Sequence, residues 1–94
     1  MKPSVQLEFY RSQIRELASR FQLTNPRVFG SVLRGSDTDT SDLDLLVDPL
    51  PNATLFDLGS LQGELEDLLG VPVDIRTPGG LHLKFRAAVI DDAQ

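Results

Sequence analysis

The spacing of apolar residues along this chain changes between a helical and a strand period, and it predicts most of the elements. From Ser4 to about Gln22, apolar residues recur every three or four positions, as on one face of an amphipathic helix. That face consists of Leu7, Tyr10, Ile14, Leu17, Ala18 and Phe21. Ser4 is the predicted N-cap. Asn25-Pro26 ends the segment, because the residue before a proline favours an extended backbone.

A second helical period follows Thr54, the predicted N-cap of a long helix with Asp57 in its first turn. Its predicted buried stripe is made of leucines, namely Leu55, Leu58, Leu61, Leu65, Leu68 and Leu69. Gly70 stands where a left-handed C-terminal residue is wanted, and Pro72 comes soon after it. These signals predict a helix that ends at about residue 69.

Strand patterns and their breakers occupy three short segments, which are Arg27 to Gly30, Asp42 to Asp48 and Val71 to Thr77. After a turn at Pro78-Gly79-Gly80, a last short helix is predicted from Leu81 to about Val89, packed through Leu81 and Phe85. The tail from Asp91 is expected to fray. The order of elements predicts an α/β or α+β domain with a small mixed sheet of about three strands and about four helices. With 94 residues, the chain suits a single domain over residues 1–94.

Composition narrows the function classes. Hydrophobic residues make up 40% of the chain, which is typical of a globular protein, and there is no cysteine, which excludes disulfide scaffolds, zinc ribbons and thiol catalysis. No apolar run approaches the ~20 residues of a membrane span. The N-terminus lacks the apolar segment of a signal peptide. We therefore expect a cytoplasmic protein that does not associate with a membrane. The net charge of −5 argues against direct binding of nucleic acid. It leaves the binding of a single nucleotide open.

The candidate chemistry lies between residues 28 and 47. Gly30 ends the predicted first strand, Ser31 begins a helical turn, a polar loop comes next, and Asp42 and Asp44 stand where the second strand begins. Residues i and i+2 of a strand share a face, with Cα atoms roughly 6.6 Å apart, so both carboxylates point the same way while Leu43, Leu45 and Val47 face the core. Two like charges side by side are typical of a site for Mg²⁺, which takes one or two carboxylates plus substrate phosphates.

Gly30-Ser31, ten intervening residues, Asp42-x-Asp44 and a later Asp74 together resemble the signature of the nucleotidyltransferase superfamily. The likeness is greatest to the minimal nucleotidyltransferases, small members often found as the antitoxin of MNT–HEPN toxin–antitoxin pairs. This resemblance implies the nucleotidyltransferase fold. It also implies that Asp42 and Asp44 hold two Mg²⁺ ions, that Asp74 holds the catalytic one, and that all three are catalytic.

The same resemblance implies which residues contact the nucleotide, namely Gly30, Ser31, Arg34 and Ser41. Many minimal members have Arg-Ala directly after Gly-Ser, whereas Val32-Leu33 stand there in this chain and Arg34 follows. The expected activity is transfer of AMP from ATP to a tyrosine of a cognate HEPN ribonuclease toxin, which makes the protein an antitoxin. The expected partners are that toxin and a nucleoside triphosphate, in a homo- or hetero-oligomer. Two alternatives stay open: an antitoxin that only binds its toxin, and a transferase acting on a small molecule such as an aminoglycoside.

Each carboxylate also has a purely structural interpretation. Asp42 can be a turn residue or cap, Asp44 a surface charge, and Asp74 the partner of an exposed ion pair with Arg76. The joint spacing with Gly-Ser favours the metal site over these readings.

Two other motifs are excluded because residues that they require are missing. A P-loop needs lysine after the second glycine of Gly30-x-x-x-x-Gly35, but Ser36 stands there. A calcium loop opening at Asp37 would place Asp42 where glycine is required. His82 has no second histidine or cysteine near it and is predicted to be a surface or packing residue.

Overall fold

A three-stranded mixed sheet lies at the centre of the molecule, which we describe from a computed structural model. The structure describes the backbone of residues 2–80 and 83–94 and the side chains of residues 2–80 and 88–94. The strands are β1 (Leu23–Phe29), β2 (Leu43–Pro49) and β3 (Val73–Arg76), in that order across the sheet. The helices are α1 (Pro3–Phe9), α2 (Arg11–Arg20), α3 (Gly30–Arg34), α4 (Leu55–Leu69) and α5 (Leu83–Asp92), with a 3₁₀ turn at Pro78–Gly80.

Strand β2 pairs antiparallel with β1 and parallel with β3. Helices α2 and α4 contact the sheet directly, and α1 packs on both of these helices. The core between them is built from buried side chains that include Leu7, Ile14, Leu43, Leu45, Val47, Leu61, Leu65, Leu69, Val73 and Ile75. Leu46 points to the opposite face and is also fully buried, so the central strand is covered on both sides. The predicted mixed α+β fold with three strands is confirmed.

The predicted single N-terminal helix is wrong, because the chain leaves helical geometry at Tyr10, which has φ −111° and ψ 20°. The Tyr10 ring packs edge-on against Phe9, with ring centroids 4.9 Å apart. The apolar period gives no sign of this break, since Leu7 and Ile14 are buried on either side of it. The break is also the reason that five α-helices stand where about four were predicted.

Ser4 is not the N-cap of the first helix. That position belongs to Lys2, whose side chain makes no capping bond, and Pro3 follows in the first turn, where a proline is tolerated. Ser4 lies inside α1, and its backbone N–H donates to Oδ2 of Asp37 at 2.9 Å.

The signals around α4 are largely confirmed. Thr54 caps the helix in a reciprocal capping box with Asp57, and Gly70 ends it with φ +69°. The predicted burial of Leu55 is wrong: its side chain is 84% exposed, because the first turn of the helix extends beyond the layer that packs on the sheet.

The other element boundaries shift by several residues. Strand β1 begins at Leu23, earlier than predicted, because an irregularity in its pairing with β2 between Thr24 and Arg27 accommodates the proline at position 26. Strand β3 covers only Val73–Arg76.

The expected fraying of the tail is wrong: α5 extends to Asp92, and Gln94 exchanges two backbone hydrogen bonds with Val28. The predicted positions of Leu81 and His82 and the packing of Phe85 lie outside the described residues.

Candidate active site

Asp44 and Asp74 lie side by side on neighbouring parallel strands. They are direct partners in the β2–β3 register, since Asp44 pairs with Asp74 as Leu45 pairs with Ile75. Leu45 and Ile75 are buried in the core, so the alternation of a strand turns both aspartates to the opposite face. The sequence alternation of β3 therefore predicts the direction of Asp74 correctly, and the register brings it next to Asp44.

The turn at Gly30 lies directly against the carboxylate of Asp44. Gly30 has φ +73°, a left-handed conformation that disfavours any residue with a Cβ. A Cβ built at this position would stand 2.3 Å from Oδ2 of Asp44, far inside van der Waals contact. The absence of a side chain at position 30 therefore lets the Asp44 carboxylate lie directly against the Gly-Ser turn.

Negative charge accumulates around Asp44. Burial raises the pKa of Asp44 above its ordinary value, the carboxylates of Asp74 and Asp42 raise it further, and Arg76 and Arg34 oppose the shift. Like charges this close disfavour ionisation unless a cation neutralises them. A divalent cation would do so, and hard carboxylate oxygens are the donors that Mg²⁺ prefers.

Asp42 stands at the end of the loop that leads into β2 and is exposed. The neighbouring backbone is fixed, because the N–H of Leu43 donates to the carbonyl of Pro72 at 2.8 Å. Asp42 is close enough to Asp44 to raise its pKa. The two aspartates therefore belong to one electrostatic cluster.

The Asp74 carboxylate is held by a neighbour. Nε of Arg76 lies 3.2 Å from both carboxylate oxygens of Asp74. Within the described part of the chain, no three acidic, histidine or cysteine side chains stand close enough together to hold a metal ion in this arrangement. Both members of the Arg76–Asp74 pair are partly exposed, and such pairs contribute only ~0–1 kcal/mol, so a divalent cation could displace the arginine. The carboxylate donor set fits Mg²⁺, and the assignment of Asp42, Asp44 and Asp74 as metal ligands stays a prediction.

The residues predicted to contact the nucleotide are placed differently from one another. Ser31 lies in the first turn of α3, directly after Gly30. Arg34 ends the same helix, is exposed, and acts electrostatically on Asp44. The Ser41 hydroxyl makes a hydrogen bond within its own loop, because it accepts the N–H of Thr38 at 2.8 Å. Gly30 thus lies against the acidic face, and Arg34 acts on it electrostatically. Ser31 follows Gly30 directly, and the Ser41 hydroxyl already has an intramolecular partner.

A groove of about 350 Å³ opens beside the Gly-Ser turn, between α3 and α5. Its described lining residues are Phe29, Gly30, Leu33, Arg34, Ala88, Val89 and Asp92. Phe29 is the partner of Asp44 in the β1–β2 register, so this groove adjoins the acidic face. It offers room for part of a substrate next to the carboxylates.

One buried carboxylate was not anticipated from the sequence. Asp37 is only 8% exposed, although it lies in a loop with no apolar anchor. Its hydrogen bond to Ser4 lowers its pKa below the ordinary value despite the cost of burial, and the charge of Lys2 adds to the effect. The contact joins residues 33 positions apart, and no local pattern announces a contact of that kind.

Comparison with known protein families extends this description. The sequence profile of the nucleotidyltransferase domain matches residues 11–94. The chain belongs to the nucleotidyltransferase domain family. The family match covers the Gly-Ser turn and all three aspartates, which is consistent with the shared acidic face seen in the structure.

Individual relatives are similar over most of their length. MJ0126 from Methanocaldococcus jannaschii, provisionally named a protein adenylyltransferase, is 35% identical over 85 residues, which are 90% of this chain and 87% of the relative. The protein adenylyltransferase MntA of Thermococcus cleftensis is 41% identical over 61 residues, or 65% of this chain and 62% of MntA. A solved structure provisionally named a minimal nucleotidyltransferase superposes with a TM-score of 0.86 at 41% identity, covering 97% of this chain and 93% of the other.

These similarities establish a nucleotidyltransferase with the minimal nucleotidyltransferase fold.

No helix in the part of the chain that the structure describes combines the length and apolar character needed to cross a bilayer.

Proposed function

We propose that the protein is a Mg²⁺-dependent protein adenylyltransferase that moves AMP from ATP to a hydroxyl of another protein and releases pyrophosphate. The observation that carries this proposal is the pairing of Asp44 with Asp74 on one sheet face, with Gly30 against the Asp44 carboxylate. The family match and the relatives named as adenylyltransferases support the same reaction class.

The side chains have distinct tasks in this proposal. Asp42 and Asp44 would hold two Mg²⁺ ions, and Asp74, released from Arg76, would help to hold the catalytic one. Two bound ions supply charge stabilisation to the attacking and leaving oxygens of an in-line displacement. Gly30 admits the triphosphate close to the backbone, the Ser31 hydroxyl and N–H donate to its oxygens, and the Arg34 guanidinium lies near enough to offset its negative charge.

We further propose a cognate HEPN ribonuclease toxin as the acceptor, with a tyrosine hydroxyl as the modified group and the cytoplasm as the place of reaction. Support comes from the resemblance of the Gly30 to Asp44 motif to minimal nucleotidyltransferases of MNT–HEPN pairs, and from the similarity to MntA. The groove between α3 and α5 adjoins the acidic face, and in this proposal it receives the aromatic side chain of the acceptor. AMP on a tyrosine adds bulk and negative charge, which is a direct way to silence an enzyme that binds RNA.

The experiment is a transfer assay with α-labelled ATP, Mg²⁺ and the product of the neighbouring gene, which this proposal expects to be a HEPN protein. We expect label on the HEPN protein with the wild type and none with the D42N/D44N double variant. D67N is the matched control, because Asp67 is an exposed aspartate of α4 and its loss changes the charge without touching the site. Equal labelling by the double variant and the wild type would refute the catalytic proposal.

A second candidate function is neutralisation by binding alone. It is favoured by two exposed apolar side chains at the start of α4, Leu55 and Phe56, and by Phe9 at the end of α1, since exposed large apolar groups often mark contact surfaces. Co-expression with the toxin separates the two functions. A D42N/D44N variant that still restores growth would favour binding, and one that fails while still forming the complex would favour catalysis.

A further inference from the structure

The loop between α3 and β2 is tied down at several points that together determine where Asp42 stands. At its start, the N–H of Ser36 donates to the carbonyl of Ser31 at 2.9 Å. In its middle, Thr38 and Ser41 close a turn, because the Thr38 N–H donates to the Ser41 hydroxyl at 2.8 Å and the Ser41 N–H donates to the Thr38 carbonyl at 3.1 Å. Asp42 follows this closed turn directly.

Asp37 is the residue that fastens this loop to another part of the fold. Its Oδ2 accepts the backbone N–H of Ser4 in the first turn of α1. The first N–H groups of a helix have no partner within the helix, so the carboxylate satisfies a donor that would otherwise need water. Helix α1 is itself anchored, since Leu7 is part of the core and the Gln6 side-chain amide donates to the carbonyl of Leu69 at 2.5 Å.

We propose that Asp37 is a positioning residue for the active site: it fixes the closed turn of residues 38–41 to α1 and thereby sets the place of the Asp42 carboxylate. This inference rests on the proposed function, because it assigns Asp42 a place at the metal site. Asp37 itself touches neither metal nor nucleotide in this role. It acts through the loop, as residues that orient a metal ligand do.

The test compares D37A and D37N with the wild type and with D67N, in which the same charge is removed from an exposed helical position. Three quantities are measured at a temperature where all four proteins are folded: Mn²⁺ affinity in the presence of ATP by electron paramagnetic resonance, amide hydrogen exchange, and kcat and KM of AMP transfer. For D37A we expect Mn²⁺ affinity to fall about tenfold, as is usual when a residue that orients a ligand is lost. Exchange should speed up for the amides of residues 38–42 and of Ser4.

The asparagine variant separates positioning from general stability. Its side-chain oxygen can still accept the Ser4 N–H, but a neutral acceptor is roughly half as strong as a charged one, so D37N should recover most of the Mn²⁺ affinity and loop protection. D67N should match the wild type throughout. If D37A does not fold, the test uses D37N, for which we expect the Mn²⁺ affinity to fall about threefold. Unchanged Mn²⁺ affinity and unchanged amide exchange in D37N would then overturn the proposal.

Failure of this inference is distinguishable from failure of the proposed function. A D37A protein with wild-type Mn²⁺ affinity, exchange and kcat would overturn the role of Asp37 while leaving the transferase intact. A wild type that neither binds Mn²⁺ nor transfers AMP would refute the proposed function. In that case the exchange data alone would still show whether Asp37 orders the loop.

Discussion

Gly30 and Asp44 show how closely single residues constrain this site. The positive φ of Gly30 and the 2.3 Å approach of a hypothetical Cβ to Oδ2 of Asp44 are two separate obstacles to any side chain. Gly35 has almost the same backbone conformation, φ +72°, but open space around it. The chain thus contains its own control for separating backbone strain from a collision with the carboxylate.

The first prediction uses this pair. Gly30→Ala should reduce AMP transfer at least a hundredfold, because it forces Asp44 aside, and it should also lower the free energy of unfolding by about 1 kcal/mol or more through the left-handed backbone. Gly35→Ala should bring a similar backbone cost and retain far more activity. Urea unfolding and the transfer assay measure the two effects. Equal loss of activity in the two variants would show that strain alone, and not the approach to Asp44, explains the glycine.

The second prediction concerns the charge of Asp44. Because its folded-state pKa is raised above the ordinary value of 3.8, this group favours the fold at low pH, and its contribution is lost as the pH rises through the raised pKa. Without metal at pH 7, Asp44→Asn should therefore be more stable than the wild type, and the gap should close below pH 3.8.

Adding Mg²⁺ tests the cause of that instability. Bound metal should raise the Tm of the wild type by a few degrees and leave the Tm of D44N almost unchanged. Thermal unfolding in EDTA and in Mg²⁺ provides the measurement. A D44N variant less stable than the wild type in EDTA at pH 7 would contradict this account of the acidic cluster.

The resemblance of the Gly-Ser and Asp-x-Asp spacing to a known family pointed to Gly30 and to the aspartates at 42, 44 and 74, and the alternation of β3 correctly predicted that Asp74 faces away from the core. The role of these aspartates as metal ligands stays a prediction. Asp37 and the Arg76–Asp74 pair illustrate two kinds of information that the sequence lacked. The Asp37–Ser4 bond depends on how α1 packs against the loop, so no pattern near either residue reports it. The arginine two residues after Asp74 was visible, and the sequence favoured the metal ligand over the ion pair that the structure shows.

Among the elements, α4 is the one whose two ends were predicted best from the sequence. Thr54 and Asp57 bond reciprocally at its start, with Oδ2 of Asp57 accepting the Thr54 N–H at 2.8 Å. Both ends depend on side chains or conformations confined to a few adjacent residues. The break between α1 and α2 has no such local cause, which is why the continuous apolar stripe concealed it.

The third prediction is at the scale of this element. Thr54→Ala removes the capping hydroxyl and should lower the free energy of unfolding by about 1 kcal/mol, with little change in transfer activity. Ser60→Ala, on the exposed side of the same helix, should leave stability unchanged or slightly higher, because alanine is the better helix former. Urea denaturation compares the two. A loss for Ser60→Ala as large as that for Thr54→Ala would show that the cap is not the cause.

At the scale of the whole molecule, the sheet order explains why residues distant in sequence form one site. Strand β2 lies between an antiparallel and a parallel neighbour, so the Gly-Ser turn after β1 and Asp74 on β3 both adjoin the start of β2. A small mixed sheet and, through the family resemblance, a shared metal site were predicted from the sequence, but the order and the pairing of the strands were not. From the sequence, only Leu43, Leu45 and Val47 of β2 were assigned to the core. It was not predicted that Leu46, which lies on the opposite face between the partly exposed Asp44 and Asp48, is also fully buried.

The most direct test of the whole account is Mn²⁺ binding in the presence of ATP, measured by electron paramagnetic resonance on the wild type, D44N, D74N and D67N. The account predicts tight binding by the wild type and D67N, and a loss of at least about tenfold for both D44N and D74N, because each removes a carboxylate from the same metal cluster. Equal Mn²⁺ binding by all four proteins would contradict it.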